Sequence, residues 1–122
     1  GEGEPGGGLS LAEAGVNGLV FSIVSACIVA PIAEEILYRG VLFRSLGNRL
    51  GILPGAILSS VIFAAVHFYG LYGFVSVAVF GFACAMLYAA TGSLASVIIL
   101  HALYNLSIKL PEWWFYHGKI EW

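Results

Sequence analysis

Residues 50–108 read LGILPGAILSSVIFAAVHFYGLYGFVSVAVFGFACAMLYAATGSLASVIILHALYNLSI, fifty-nine positions between Arg49 and Lys109 without one formally charged side chain. Two imidazoles, His67 and His101, interrupt the run. A second uncharged tract of twenty residues separates Glu13 from Glu34. At about 20 residues per crossing, the two tracts supply about four transmembrane helices. Of the 122 residues, 60% are apolar and 10% are Asp, Glu, Lys or Arg, far from the balance of a soluble domain. A soluble globule of this length could not hide so much apolar surface. The expected fold is therefore an all-α polytopic transmembrane helix bundle, integral and multi-pass, in the cell membrane. A net charge of −2 gathers no phosphates, which excludes nucleic acid as a partner and leaves the lipid bilayer as the first one. A removable secretory signal is short and N-terminal, whereas these tracts fill the chain.

Residues 1–9 carry most of their positions as glycine, with Pro5 and two glutamates, and read as a flexible leader. The chain opens on Gly1, not Met, as a fragment or a processed product would. Ser10 and Glu13 have the spacing of a capping box, so a first helix begins near Leu11. Pro31 removes a backbone donor and kinks that helix before it continues to about Leu46. Gly47 to Gly51 then forms a turn. A second helix runs from Pro54 to about Phe68, a tight reversal spans Tyr69 to Gly73, and a third helix runs from Phe74 to Ala90. Thr91-Gly92-Ser93 makes the next turn. A fourth helix runs from Leu94 to Lys109, closing a membrane core of residues 10–110 ahead of Pro111. Small residues four apart, Ala56, Ser60 and Ala64, then Gly81, Ala85 and Ala89, allow close helix packing in lipid. Residues 111–122 hold Trp113, Trp114, Phe115, Tyr116 and Trp122, amphipathic rings suited to an interfacial tail. Arg39, Arg44 and Arg49 favour a cytoplasmic Gly47–Gly51 turn. Cys27 and Cys84 sit inside apolar tracts with no CxxC pairing and read as packing residues.

Ionisable side chains in a membrane segment cost several kcal/mol unless they are paired or face a cavity. They fall here into three short patterns. In Glu34-Glu35-Ile36-Leu37-Tyr38-Arg39, the Glu35 and Arg39 side chains are one turn apart, oriented for an ion pair. Glu34 points about 100° away and is left without that partner. The second pattern is Phe63-Ala64-Ala65-Val66-His67, and the third is His101-Ala102-Leu103-Tyr104-Asn105. Up-down packing puts the turns at 47–51 and 91–93 on one side of the membrane. Counted inward at 1.5 Å per residue, Glu34 lies at about 20 Å, His67 at about 22 Å, His101 at about 14 Å and Asn105 at about 20 Å. Matching depths on three helices imply one shared polar cavity.

A carboxylate and an imidazole converging on water form a general-base pair, for which Glu34 and His67 are the candidates. Amide hydrolysis also needs donors for the developing oxyanion, and His101 with Asn105 on the next turn can supply them. No nucleophile motif such as GxSxG accompanies these residues, so direct attack by water is the economical route. Zinc is the rival: Glu34, His67 and His101 would make a His2Glu set with an open position. HExxH is absent and Asn105 is a poor zinc ligand but a good amide donor, which favours catalysis without a metal cofactor.

The ordered set EExxxR at Glu34 to Arg39, FxxxH at Phe63 to His67 and HxxxN at His101 to Asn105 resembles the CPBP family. That family comprises CAAX prenyl proteases and bacteriocin-processing or immunity proteins, also called Abi. The resemblance covers about residues 28–106. It implies an intramembrane endopeptidase in which Glu34 and His67 match the water-activating pair, His101 and Asn105 the oxyanion pair, and Glu35 and Arg39 the supporting positions. The family has been described both as metal-dependent and as glutamate-dependent. Family members carry further helices before this core, where this chain has its glycine-rich leader. The implied partner is a peptide or membrane-protein substrate: a prenylated C-terminus, a leader peptide or another membrane protein. The competing readings are a noncatalytic immunity or partner-binding protein, and a proton pathway through the polar cavity. Glu34→Gln separates them, because it abolishes turnover only in the first.

Overall fold

A computed structural model describes the backbone of residues 11–67 and 70–121, and side chains over residues 15–67 and 70–115. The leader, Ser10, the side chain of Glu13, Phe68, Tyr69, the side chain of Tyr116 and Trp122 lie outside the described residues. The chain divides into two compact units. One is residues 32–101; the other joins residues 1–31 to 102–122.

Four helical runs order the described residues. The first, α1, is built of segments Leu11–Ile23, Val24–Val29, Ala30–Glu35, Ile36–Phe43 and Arg44–Leu50. It is followed by α2 (Ile52–Ala65), α3 (Leu71–Thr91) and α4 (Leu94–Glu121). The result is an all-α bundle of apolar helices. Three stretches, Gly15–Leu50, Leu71–Thr91 and Leu94–Phe115, are long and apolar enough to cross a membrane. The 14 residues of α2 rise only about 21 Å, short of a bilayer's hydrocarbon thickness. The expected second span is therefore a short apolar helix.

The irregularity anticipated near Pro31 takes the form of π-helix. Val24–Val29 is wound this way, with the Ala30 amide bonding the Ser25 carbonyl five residues back, and Pro31 follows directly. Re-spacing the hydrogen-bond ladder is one way to accommodate a residue that has no N–H. A second π-helical stretch, Ile36–Phe43, begins immediately after the two glutamates and buries Arg39 and Phe43. Departure from helical dihedrals falls at Gly15 (φ 60°, ψ −134°).

Helix boundaries differ from expectation where local breakers meet better backbone partners. The first helix does not stop near Leu46; it runs on to Leu50, and the reversal is concentrated in Gly51 at φ 98°, a conformation that favours glycine. The Gly51 amide bonds Gly47 O at 3.0 Å, and the Gly55 amide bonds Gly51 O at 3.0 Å. A Cβ on Gly55 would stand 2.7 Å from Gly47 N and 2.8 Å from Gly47 Cα, so backbone lies directly on backbone at this corner. Ala56, Ser60 and Ala64 form a buried stripe up α2, although Ala89 of the second small-residue series is exposed. The Ser59 and Ser60 hydroxyls donate to Ala56 O, one turn back, so neither is left unsatisfied in the apolar interior. Phe43, Ala56 and Ala85 make the core of this unit, flanked by Phe82 and Tyr88.

Gly92 closes α3 in the left-handed conformation (φ 64°), its amide on Tyr88 O at 2.7 Å. Ser93 then caps α4: its Oγ accepts the Ser96 amide at 3.2 Å. The fourth helix does not end before Pro111. It continues to Glu121 with Pro111 inside, so the aromatic segment is a helical extension. The physical reason is that a proline forfeits one ladder bond, whereas apolar and aromatic residues on both sides keep the remaining bonds favourable. Trp114 and Phe115 are 67% and 63% exposed, as headgroup-layer rings would be.

Candidate active site

Within the unit of residues 32–101, three helical runs bring their ionisable side chains together. Glu34 and Glu35 stand at the end of an α-helical segment of α1, His67 lies in the turn that closes α2, and His101 lies two turns into α4. The successive glutamates point apart, as a helical period requires. Glu35 is fully buried, whereas the Glu34 side chain is 31% exposed.

Glu35 has two partners on one oxygen. Its Oε1 accepts Arg39 Nη1 at 3.2 Å, which is the pair expected from sequence, and also His101 Nδ1 at 2.8 Å, which is not. Its Oε2 is buried without a hydrogen bond. Arg39, 2% exposed, spends its other nitrogen on the Gly81 carbonyl at 2.7 Å and lays its guanidinium 4.7 Å from the Phe63 ring centroid. Phe63 is packed from several sides. Its ring lies 4.5 Å from that of His67, 4.9 Å from that of Tyr38 and 6.3 Å from that of His101, and Phe80 closes on His101 at 5.5 Å.

These contacts fix which nitrogen each imidazole presents. A backbone carbonyl only accepts, so His67 Nδ1 donates to Phe63 O and carries the hydrogen. His101 Nδ1 donates to the Glu35 carboxylate in the same way. Both rings therefore turn Nε2 toward Glu34: His67 Nε2 stands 3.9 Å from Oε1, and His101 Nε2 stands 3.4 Å from Oε2. One carboxylate lies between two imidazoles, and only its side of the cluster is substantially open, since His101 is 5% exposed and His67 22%.

Asn105 belongs to the other unit. There its Nδ2 donates to the Ala26 carbonyl at 2.6 Å, which uses one of the two hydrogens of the carboxamide. Cys27 and Cys84 are free and buried. Glu34, His67 and His101 are the donor types of a His2Glu zinc site, with Nδ1 held on oxygen as in ligating histidines. Among the described residues, however, no group of three His, Cys, Asp or Glu side chains is arranged to hold a metal ion.

What local spacing did not disclose is the part of the cluster that depends on tertiary contact. The His101–Glu35 bond joins residues 66 apart, and the Arg39–Gly81 bond joins residues 42 apart. Gly81 lies in no motif; its membership of a four-spaced small-residue series was the available signal.

No solved structure matches the chain. A Bacillus subtilis (strain 168) protein named "Putative membrane peptidase YdiL" is 32% identical over 97 residues, which cover 80% of this chain and 39% of that protein. The chain thus spans about two fifths of the length of this curated relative. The family model described as type II CAAX prenyl endopeptidase Rce1-like matches residues 16–107, three-quarters of the chain and every residue of the three motifs. With its long apolar helices this is an integral, multi-pass membrane protein, and it belongs to the Rce1-like family of type II CAAX prenyl endopeptidases.

Proposed function

We propose that the chain carries the reaction centre of an intramembrane endopeptidase that hydrolyses a peptide bond with water activated by Glu34 and His67. The observation that carries this reading is the half-open Glu34 carboxylate, faced by the Nε2 atoms of both His67 and His101 at 3.9 and 3.4 Å. Glu34 takes a proton from water as the water oxygen attacks the scissile carbonyl carbon, and His67 holds or passes that proton. The carbonyl oxygen becomes an oxyanion. His101 faces it from Nε2, its ring held in orientation by the Nδ1 hydrogen bond to Glu35. Asn105, which closes the HxxxN motif, is the second oxyanion donor that the family resemblance implies, and one of its two carboxamide hydrogens is not used by the Ala26 carbonyl. Collapse of the tetrahedral intermediate breaks the C–N bond, and the proton held by the Glu34–His67 pair goes to the departing amine.

No metal enters these steps. Membership of the Rce1-like family supports a prenylated C-terminal peptide as the substrate class, with a leader peptide or a segment of another membrane protein as the alternatives. The test is cleavage of farnesylated and unmodified peptides by the purified protein in detergent, with and without a chelator. Activity should survive chelation and disappear in Glu34→Gln. Inactivation by the chelator with recovery on adding zinc would replace the mechanism by metal catalysis. An immunity phenotype that survives in Glu34→Gln would replace the enzyme by a binding protein.

A further inference from the structure

We propose that Gly81 of α3, outside every motif, is a positioning residue for the reaction centre: it sets the place of Arg39 and, through Glu35, the orientation and tautomer of His101. The proposal rests on the peptidase reading for its kinetic consequence and on geometry alone for its structural one.

Three observations converge on this glycine. Its carbonyl accepts Arg39 Nη2 at 2.7 Å, the shorter of the two hydrogen bonds of that buried guanidinium. A Cβ at the same position would lie 3.1 Å from Arg39 Nη2, 3.2 Å from Phe63 Cδ1 and 3.6 Å from Ser60 Cα, so the main chain of α3 approaches as closely as it does only because no side chain intervenes. Finally, neither neighbour has anywhere to retreat. Arg39 is held by Glu35 and stacked on Phe63, while Phe63 is 2% exposed and wedged against the rings of Tyr38 and His67.

A methyl group at Gly81 therefore pushes the guanidinium by a few tenths of an ångström along a chain of short contacts. Arg39 shares Glu35 Oε1 with His101 Nδ1, so displacement of the guanidinium moves the acceptor that holds the imidazole. His101 is the buried one of the two rings facing Glu34, and its Nδ1 hydrogen is committed to that oxygen. Loosening this bond frees the ring to rotate or to exchange its hydrogen between nitrogens, which alters what Nε2 presents to Glu34.

The experiment is Gly81→Ala in the intact protein, with Gly47→Ala as the control. A Cβ on Gly47 meets only Phe43 Cε1 at an ordinary 3.8 Å. Peptide cleavage should show kcat lowered about tenfold with KM within about twofold, the signature of misplaced reacting groups. Nitrogen-15 NMR of the histidine rings should show the His101 signals moved or averaged between tautomers, while His67 keeps its Nδ1 hydrogen on Phe63 O. Arg39→Lys is the second variant: it keeps the charge beside Glu35 but cannot bridge Glu35 and the Gly81 carbonyl, and it should disturb His101 in the same way. A Gly81→Ala protein with wild-type kcat and unmoved His101 signals overturns the proposal. If Gly81→Ala does not fold, undisturbed His101 signals in Arg39→Lys overturn it equally. If the wild-type protein cleaves nothing, the peptidase reading fails and the ring signals alone decide the role of Gly81.

Discussion

Replacing Arg39 by methionine keeps the length and much of the volume of the side chain and removes its charge. In the native protein that charge is the cationic partner of a carboxylate with no exposure, at 3.2 Å. Removing one member of a buried pair strands the other, at a cost of about 3–5 kcal/mol. The Gly81 carbonyl loses its 2.7 Å donor as well, worth about 1 kcal/mol, although this is part of the same loss and not an addition to it. For a chain of this size 1 kcal/mol moves the midpoint by about 4 °C, so Arg39→Met should unfold about 12–20 °C earlier in a detergent melt. The decisive arm is the double variant Glu35→Gln, Arg39→Met, which removes both charges and leaves a neutral amide to accept His101 Nδ1. It should recover at least half of the lost stability, because the penalty lies in the stranded carboxylate and not in the absent contact. Midpoints that simply add across the two substitutions, or an Arg39→Met loss under about 1 kcal/mol, would refute the account of Glu35 as an ion dependent on its partner.

Other substitutions test the scaffold and the site. Gly55→Ala drives a methyl into the Gly47 backbone and should cost about 1–3 kcal/mol in the same melt, whereas Gly47→Ala should be nearly neutral. Ser93→Ala removes the cap on the Ser96 amide and should cost about 1 kcal/mol, restored by Ser93→Asp but not by Ser93→Val. Glu34→Gln should reduce peptide cleavage at least about a hundredfold with the melting midpoint within about 2 °C, since this carboxylate is partly exposed and holds no short structural contact. A large drop in midpoint for that variant would recast Glu34 as a structural residue.

The fold class was legible because apolar composition and charge-free run length are enough to specify a helical membrane protein. Helix ends were less so. Gly47 and Pro111 were read as stops from their local preferences, but the helix runs on through Gly47 to Leu50, and Pro111 is tolerated inside a long helix. At the candidate site, Glu35–Arg39 was readable from i,i+4 spacing, and common depth grouped Glu34, His67, His101 and Asn105, of which the first three meet within one unit. Depth says nothing about rotation around a helix axis. The Glu35–His101 and Arg39–Gly81 bonds depend on that rotation, and no periodicity in Ile36–Phe43 announces that this segment winds as π-helix.

The two neighbouring glutamates, identical letters in a motif, stand in opposite surroundings: one reachable, the other sealed behind aromatic rings and a guanidinium. A carboxylate-modifying reagent or a covalent inhibitor would thus engage Glu34 and spare Glu35 in the native protein. The doublet supplies its own internal standard: labelling of both sites reports unfolding, and labelling of the first alone reports the native fold with Glu34 uncovered.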